Sequence, residues 1–171
     1  MALRSLFTFP DPVNEKAART VAAGVVALSV AAIGARQPWL LVVLAAGFWA
    51  RVLTGPTLSP LGRLATSVIA PALGKPKPVP GAPKRFAQAI GTAFSTAAVL
   101  LWFVAGAHVP ALALTGALAG AAALEAALGF CLGCKIFGVL MRAGIIRASV
   151  CEACADLSLR HPELRREPAR T

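Results

Sequence analysis

The chain predicts an all-α membrane protein: four transmembrane helices in two hairpins, a short interfacial amphipathic helix and a cytoplasmic C-terminal helix. Composition is the first observation behind this. Of 171 residues, 57% are hydrophobic and 14% charged, and mean hydropathy is +0.72. A soluble domain carries about 25% charged residues, so a soluble globular enzyme is disfavoured, and so is a disordered chain. The placement of charge is the second observation. Seventeen Lys and Arg against seven Asp and Glu give a net charge of +10, a balance that often marks nucleic-acid binding. Here the cations fall between long apolar runs and near the termini, so they read as topology determinants and no nucleic-acid partner is expected. Third, the apolar runs are too few and too long for a barrel. In lipid the backbone must then satisfy its own amides as helices. Residues 1–171 are expected to form a single membrane domain.

Taking the elements in order, Pro10, Asp11, Pro12 and Glu15 precede any apolar run. A secretory signal has the opposite order, so the first span is expected to stay in the mature protein. Asp11 is expected to cap the first helix, with Pro12 in its first turn. That helix runs from Pro12 to Ala35, with its span at about 18–35. The second span covers 38–54, with Trp39 at one end and Trp49 and Arg51 at the other. Both are short in their uncharged part and need Arg19 and Arg51 to snorkel outward.

Ser59 and Pro60 then start a helix at about 60–70. Its Leu61, Leu64, Ala65, Val68, Ile69 and Ala72 share one face, as in a helix lying among headgroups. Pro71 and Gly74 are expected to stop it. Residues 75–85 hold four prolines and predict an extended linker, whose Lys75, Lys77, Lys84 and Arg85 face anionic lipid headgroups. The third and fourth spans, 86–108 and 111–130, are comfortably long. In the fourth, Gly116-x-x-x-Gly120 lets another helix approach closely, as in a homo-oligomer, although an Ala-rich chain produces such spacing by chance. His108 falls in the second short loop and is expected to be solvated. Residues 135–171 form the tail. Three cations precede the first span, six lie in the middle connection and seven follow the fourth span, while Arg36 stands alone on the other side. This bias puts both termini and the middle connection in the cytoplasm of a multi-pass inner-membrane protein.

The four cysteines carry the chemistry. They form two C-x-x-C pairs, Cys131-Leu-Gly-Cys134 and Cys151-Glu-Ala-Cys154. On the cytoplasmic side a permanent structural disulfide is disfavoured. Two main readings stay open. The spacing of the pairs suits a four-thiolate zinc site formed by Cys131, Cys134, Cys151 and Cys154, although Lys135 and Ala155 stand where such knuckles favour glycine. No other cofactor is expected. Thiol–disulfide or sulfur-transfer chemistry is the second reading. Ser149 through Glu152 reads as a capping box, placing Cys151 in a first helical turn near Arg147 as the attacking sulfur, with Cys154 resolving. Gly129 and Gly133 allow the fourth helix to break, so that the Cys131 pair opens another helical turn beside the cation of Lys135. Inert buried cysteines are the plain alternative. Glu125 is the one acid within an apolar span. It reads either as a proton donor or acceptor for the cysteines or as the ion-pair partner of Arg51 or Arg19. A small-solute transporter would need a polar path, for which Glu125, Thr92, Ser95 and Thr96 are the available residues.

Phe9-Pro-Asp-Pro-Val-Asn-Glu15, Ser59-Pro-Leu-Gly-Arg63, Pro83-Lys-Arg-Phe-Ala-Gln88 and Glu125 through Cys134 together resemble the domain-of-unknown-function 4395 family of bacterial integral membrane proteins. The resemblance covers roughly Phe9 to Met141, and the Cys151 pair lies beyond it. It implies a small multi-span protein without an assigned activity. It also implies an association with soluble thioredoxin-like proteins or sulfurtransferases, which favours the thiol reading over a non-catalytic scaffold. The Ala- and Arg-rich composition suits a GC-rich bacterium.

Overall fold

The computed structural model describes residues 9–151 and 154, and within them the protein is mainly helical. Five helices carry the architecture: α1 (Glu15–Gly34), α2 (Trp39–Thr54), α4 (Gly81–Phe103), α5 (His108–Leu128) and α6 (Leu132–Arg142), with α3 between α2 and α4. Helix α3 is composite. It runs Pro60–Leu64, widens into a π-helical turn at Ala65–Ile69 and closes with Ala70–Ala72. Helices α1, α4 and α5 are long and apolar enough to cross a membrane, and α2 is a shorter apolar helix. Most of their surface is uncovered by protein, with 33%, 22% and 17% of the spanning windows of α1, α4 and α5 buried. Helices this apolar and this bare are compatible with a membrane protein.

Helix α1 packs chiefly on α5 and α2 on α4, while α4 also meets α5 and α6. The internal faces are built from small side chains, including Ala17, Ala22, Ala32, Ala98 and Ala111, around two apolar clusters. Val25, Leu44, Phe48 and Leu118 form one cluster, and Ala32, Leu40 and Leu41 the other. Small residues let helix backbones approach where lipid removes any hydrophobic drive between helices. The closest approaches use Gly24 against Leu61 and Gly91 against the Phe48 ring. Gly116 and Gly120 meet nothing within 4 Å. The Gly-x-x-x-Gly spacing of α5 therefore serves no contact among the described residues. Of the buried hydroxyls, Thr92, Ser95 and Thr115 donate to carbonyls four residues back, while half-buried Thr96 accepts from the Trp49 indole. His108 is exposed, as expected, and lies beside the Trp102 ring at 4.3 Å.

Helix boundaries differ from the sequence expectation in several places, and α5 begins at His108, expected in the loop before it. Asn14, not Asp11, caps α1, its Oδ1 accepting from the Lys16 amide at 3.1 Å. Asp11 instead accepts from the Gly81 amide at 2.9 Å and so serves α4. Val13–Asn14 (β1) pairs antiparallel with Pro78–Val79 (β2), so the residues before α1 are extended rather than helical. Because Asp11 satisfies an amide at its start, α4 begins at Gly81 rather than Phe86. Pro83 fits within a first turn, where no amide partner is required of it. Lys84 and Arg85, expected in an extended linker, are therefore helical. Helix α3 starts as expected, with Ser59 Oγ accepting from Gly62 at 3.1 Å and Pro60 in the first turn. Pro71 does not stop it. The π turn, closed by the Ala70 amide on the Ala65 carbonyl, carries the helix through Pro71 to Ala72, and Gly74 follows in a left-handed conformation.

Candidate functional site

The site begins where α5 ends. Gly129 adopts a left-handed backbone with φ 67° and turns the chain out of the helix. Arg19 of α1 supplies donors to the last carbonyls: its guanidinium reaches Ala126 at 3.0 and 3.1 Å and Ala127 at 2.7 Å. A cation at a helix C-terminus also suits the helix dipole. Arg19 thus does not pair with Glu125. After one further residue, Cys131 becomes the N-cap of α6, extended in backbone and accepting from the Cys134 amide at 3.4 Å. Helix breakage at Gly129 therefore leads into a new first turn that holds one complete cysteine pair.

Gly133, in the middle of that pair, does something further. A Cβ there would fall on Ala87 of α4, so the dithiol turn rests directly on the α4 backbone. Phe86 of α4 and the buried Phe137 of α6 meet edge to face at 5.5 Å and fix the same contact.

Cys131 and Cys134 are free thiols, the first buried and the second half-buried. The two sulfurs are in direct contact, with the Cys134 thiol donating to Cys131 Sγ. That bond holds the Cys131 thiol below its usual value, and Lys84 and the Cys134 amide add to the effect, while burial and the Glu125 carboxylate oppose it. Cys134 is pushed up, first because its proton is engaged by Cys131 and then by burial. The two shifts run in opposite directions, favouring the thiolate at Cys131 and the proton at Cys134, the division a CxxC exchange centre uses.

Glu125 lies behind this turn, and its ion-pair partner is Lys84, with both side chains largely buried. Neither Arg19 nor Arg51, the partners expected from sequence, reaches it. An earlier start to α4 brings Lys84 onto the helix face opposite α5. Arg51 is buried at 5% exposure rather than snorkelling. It donates from Nε to Gln88 at 3.0 Å and stacks on Phe48 at 4.5 Å. Lys135, the cation expected beside Cys131, lies over the Phe130 ring at 5.5 Å instead. Lys84 fills that electrostatic role, and sequence reasoning misses it because the prolines around it read as a lipid-facing linker. Glu125, Gln88 and Cys131 line one cavity of about 110 Å³.

The second cysteine pair is in a different state. Cys151 and Cys154 form a disulfide with Cα atoms 5.2 Å apart. Cys151 is buried, follows a 3-10 turn at Ala148–Val150 and accepts at its carbonyl from the Cys154 amide at 3.0 Å; as half of a disulfide it is not a free attacking sulfur. Glu152, the other half of the expected capping box, lies outside the described residues, as does the tail from 155 onward. Among the described residues no three His, Cys, Asp or Glu side chains converge as a metal-binding group would.

Compared with known proteins, the chain matches the family described as "Domain of unknown function (DUF4395)" over residues 13–142. The matched region takes in every helix from α1 to α6 and the Cys131 pair, and leaves out Cys151 and Cys154. No curated protein matches the chain. Nor does any solved structure.

Proposed function

The chain belongs to the DUF4395 family, which brings no assigned activity, and from that premise we propose that it is a bacterial inner-membrane thiol–disulfide relay working with a soluble thioredoxin-like partner. Helices α1, α2, α4 and α5 cross the bilayer in two hairpins. Both termini, the middle connection and the cysteine pairs lie on the cytoplasmic side, where sixteen of the seventeen cations gather. One observation carries the chemistry: the Cys131 sulfur, at the start of α6, accepts from both the amide and the thiol of Cys134, with the Lys84 charge favouring its thiolate.

In the exchange step the Cys131 thiolate attacks one sulfur of a partner disulfide. That S–S bond breaks as the mixed disulfide forms, and the partner's other sulfur leaves as a thiolate. Cys134 gives its proton to that thiolate and attacks Cys131. The mixed disulfide then breaks, its partner sulfur leaves as a thiolate that takes a proton from water, and the partner departs as a dithiol. Two electrons have passed to the partner, and Cys131–Cys134 is oxidised. Cys151–Cys154 provides a second station of the same chemistry within the chain. A sulfurtransferase persulfide would enter by the same attack, its outer sulfur passing to Cys131 as the donor thiolate leaves.

Bis(2-hydroxyethyl) disulfide tests this on the detergent-solubilised full chain. The native protein should reduce it and form Cys131–Cys134, Cys134→Ser should stop at the mixed disulfide on Cys131, and Cys131→Ser should lose the reaction. Turnover by Cys131→Ser at the native rate would overturn the reading.

A further inference from the structure

A second cavity, of about 270 Å³, opens between the start of α1, the end of α2 and the first turns of α3 and α4. Ala17, Val21 and Pro56 give it apolar walls, and Arg51, Lys84 and Gln88 bring polar atoms to it. Arg51 is the unusual member. Its guanidinium stays charged at any physiological pH and offers five N–H donors, yet only 5% of the residue is exposed. Its hydrogen bonds are two, from Nε to Gln88 Oε1 at 3.0 Å and from Nη1 to Ser59 Oγ at 3.4 Å. Both acceptors are neutral. The ion pairs among the described residues are Lys77–Glu15 and Lys84–Glu125, so Glu125 offsets the charge of Lys84 while no carboxylate offsets that of Arg51. The Phe48 ring, 4.5 Å from the guanidinium, offsets part of that charge, yet a buried charge with no counter-ion is costly to keep. A mere tie between α2, α3 and α4 would be served as well by a neutral donor.

Size sets the remainder of the ligand. An engineered apolar cavity of about 150 Å³ takes up benzene, so this larger one has room for an apolar body beside an anionic head. We propose that the cavity binds an organic anion, its oxyanion head on the Arg51 guanidinium and the Gln88 amide, and its small apolar body against Ala17, Val21 and Pro56. Gln88 is suited to this because its oxygen is taken by Arg51, which leaves its NH₂ group to donate. The head can belong to a soluble acid or to a membrane amphiphile, and the chemistry of recognition is the same.

The site is independent of the thiol reaction, so it is tested in the Cys131→Ser/Cys134→Ser chain held in dodecylmaltoside. Binding of hexanesulfonate is measured by calorimetry against hexanol. Binding of phosphatidylglycerol doped into the micelles is measured by native mass spectrometry against phosphatidylcholine. At least one anion should bind in preference to its uncharged or zwitterionic control. Hexanesulfonate binding assigns a soluble ligand, phosphatidylglycerol binding alone assigns a membrane one, and either supports the site. Arg51→Gln should weaken binding at least tenfold. Should that variant fail to fold, Thr66→Leu, which fills the cavity from its rim and keeps Arg51, should do the same. Equal binding of the controls, binding of neither anion, or native affinity in Thr66→Leu would overturn the proposal.

Discussion

Cys131 is set between opposing neighbours. The Cys134 thiol, the Lys84 ammonium and the Cys134 amide favour its thiolate, while burial and the Glu125 carboxylate disfavour it. The sign of each substitution follows. Lys84→Gln removes a favourable charge and leaves Glu125 without its partner, so the thiol pKa rises and less thiolate is present at neutral pH. Glu125→Gln removes an unfavourable charge and releases Lys84, so the pKa falls. Well below its pKa, a thiol whose pKa falls by one holds about ten times more thiolate. Iodoacetamide should therefore alkylate Cys131 about three- to tenfold more slowly in Lys84→Gln at pH 7, and faster in Glu125→Gln. Rates against pH in a chain lacking Cys151 and Cys154 measure both. A slower reaction in Glu125→Gln would mean that the carboxylate helps the thiolate. The cysteines and Glu125 are legible from sequence, as the thiols of the chain and the lone acid within an apolar span. Lys84 is not, because its partner is 41 residues away and the pairing depends on where α4 begins.

Among the elements, glycine positions divide by what faces them. Gly91 and Gly133 have no room for a side chain, since a Cβ would strike Phe48 in one case and the α4 backbone at Ala87 in the other. Gly116 and Gly120 face open space. Alanine at Gly91 or Gly133 should cost about 1–3 kcal/mol through overpacking, and at Gly133 it should also slow Cys131 alkylation by lifting α6 from α4. Alanine at Gly116 or Gly120 should leave the fold within about 0.5 kcal/mol of native. Thermal unfolding in detergent separates the two groups, and an equal loss at Gly116 would place that face in a contact. The helices themselves are legible because long apolar runs have few other solutions. Their starts are not. Asp11 and Pro12 look like a helical first turn, but Asp11 is drawn to the Gly81 amide and Val13 to a strand pair with Val79. Arg51 looks like an interfacial cation because sequence shows its charge and not the Gln88 and Ser59 that enclose it.

For the molecule as a whole, the proposed orientation makes a labelling prediction. In a chain without native cysteines, Ala105→Cys in the turn between α4 and α5 should react with an impermeant maleimide added to intact cells. Cys131 in the native chain should react only after the membrane is opened. Labelling of Cys131 from outside would invert the arrangement and remove it from its reducing compartment.

The short ladder between Val13–Asn14 and Pro78–Val79 has a mechanical meaning at this scale. It staples the entrances of α1 and α4 together, and Arg19, bound to the last turn of α5, adds a third helix to the staple. At the far ends α4 and α5 are joined by the turn at 104–107, and Ala32, Leu40 and Leu41 pack with Val99 and Trp102. The rim that bears the cysteine turn is therefore the one at which hydrogen bonds, and not side-chain packing alone, tie three separate helices to one another.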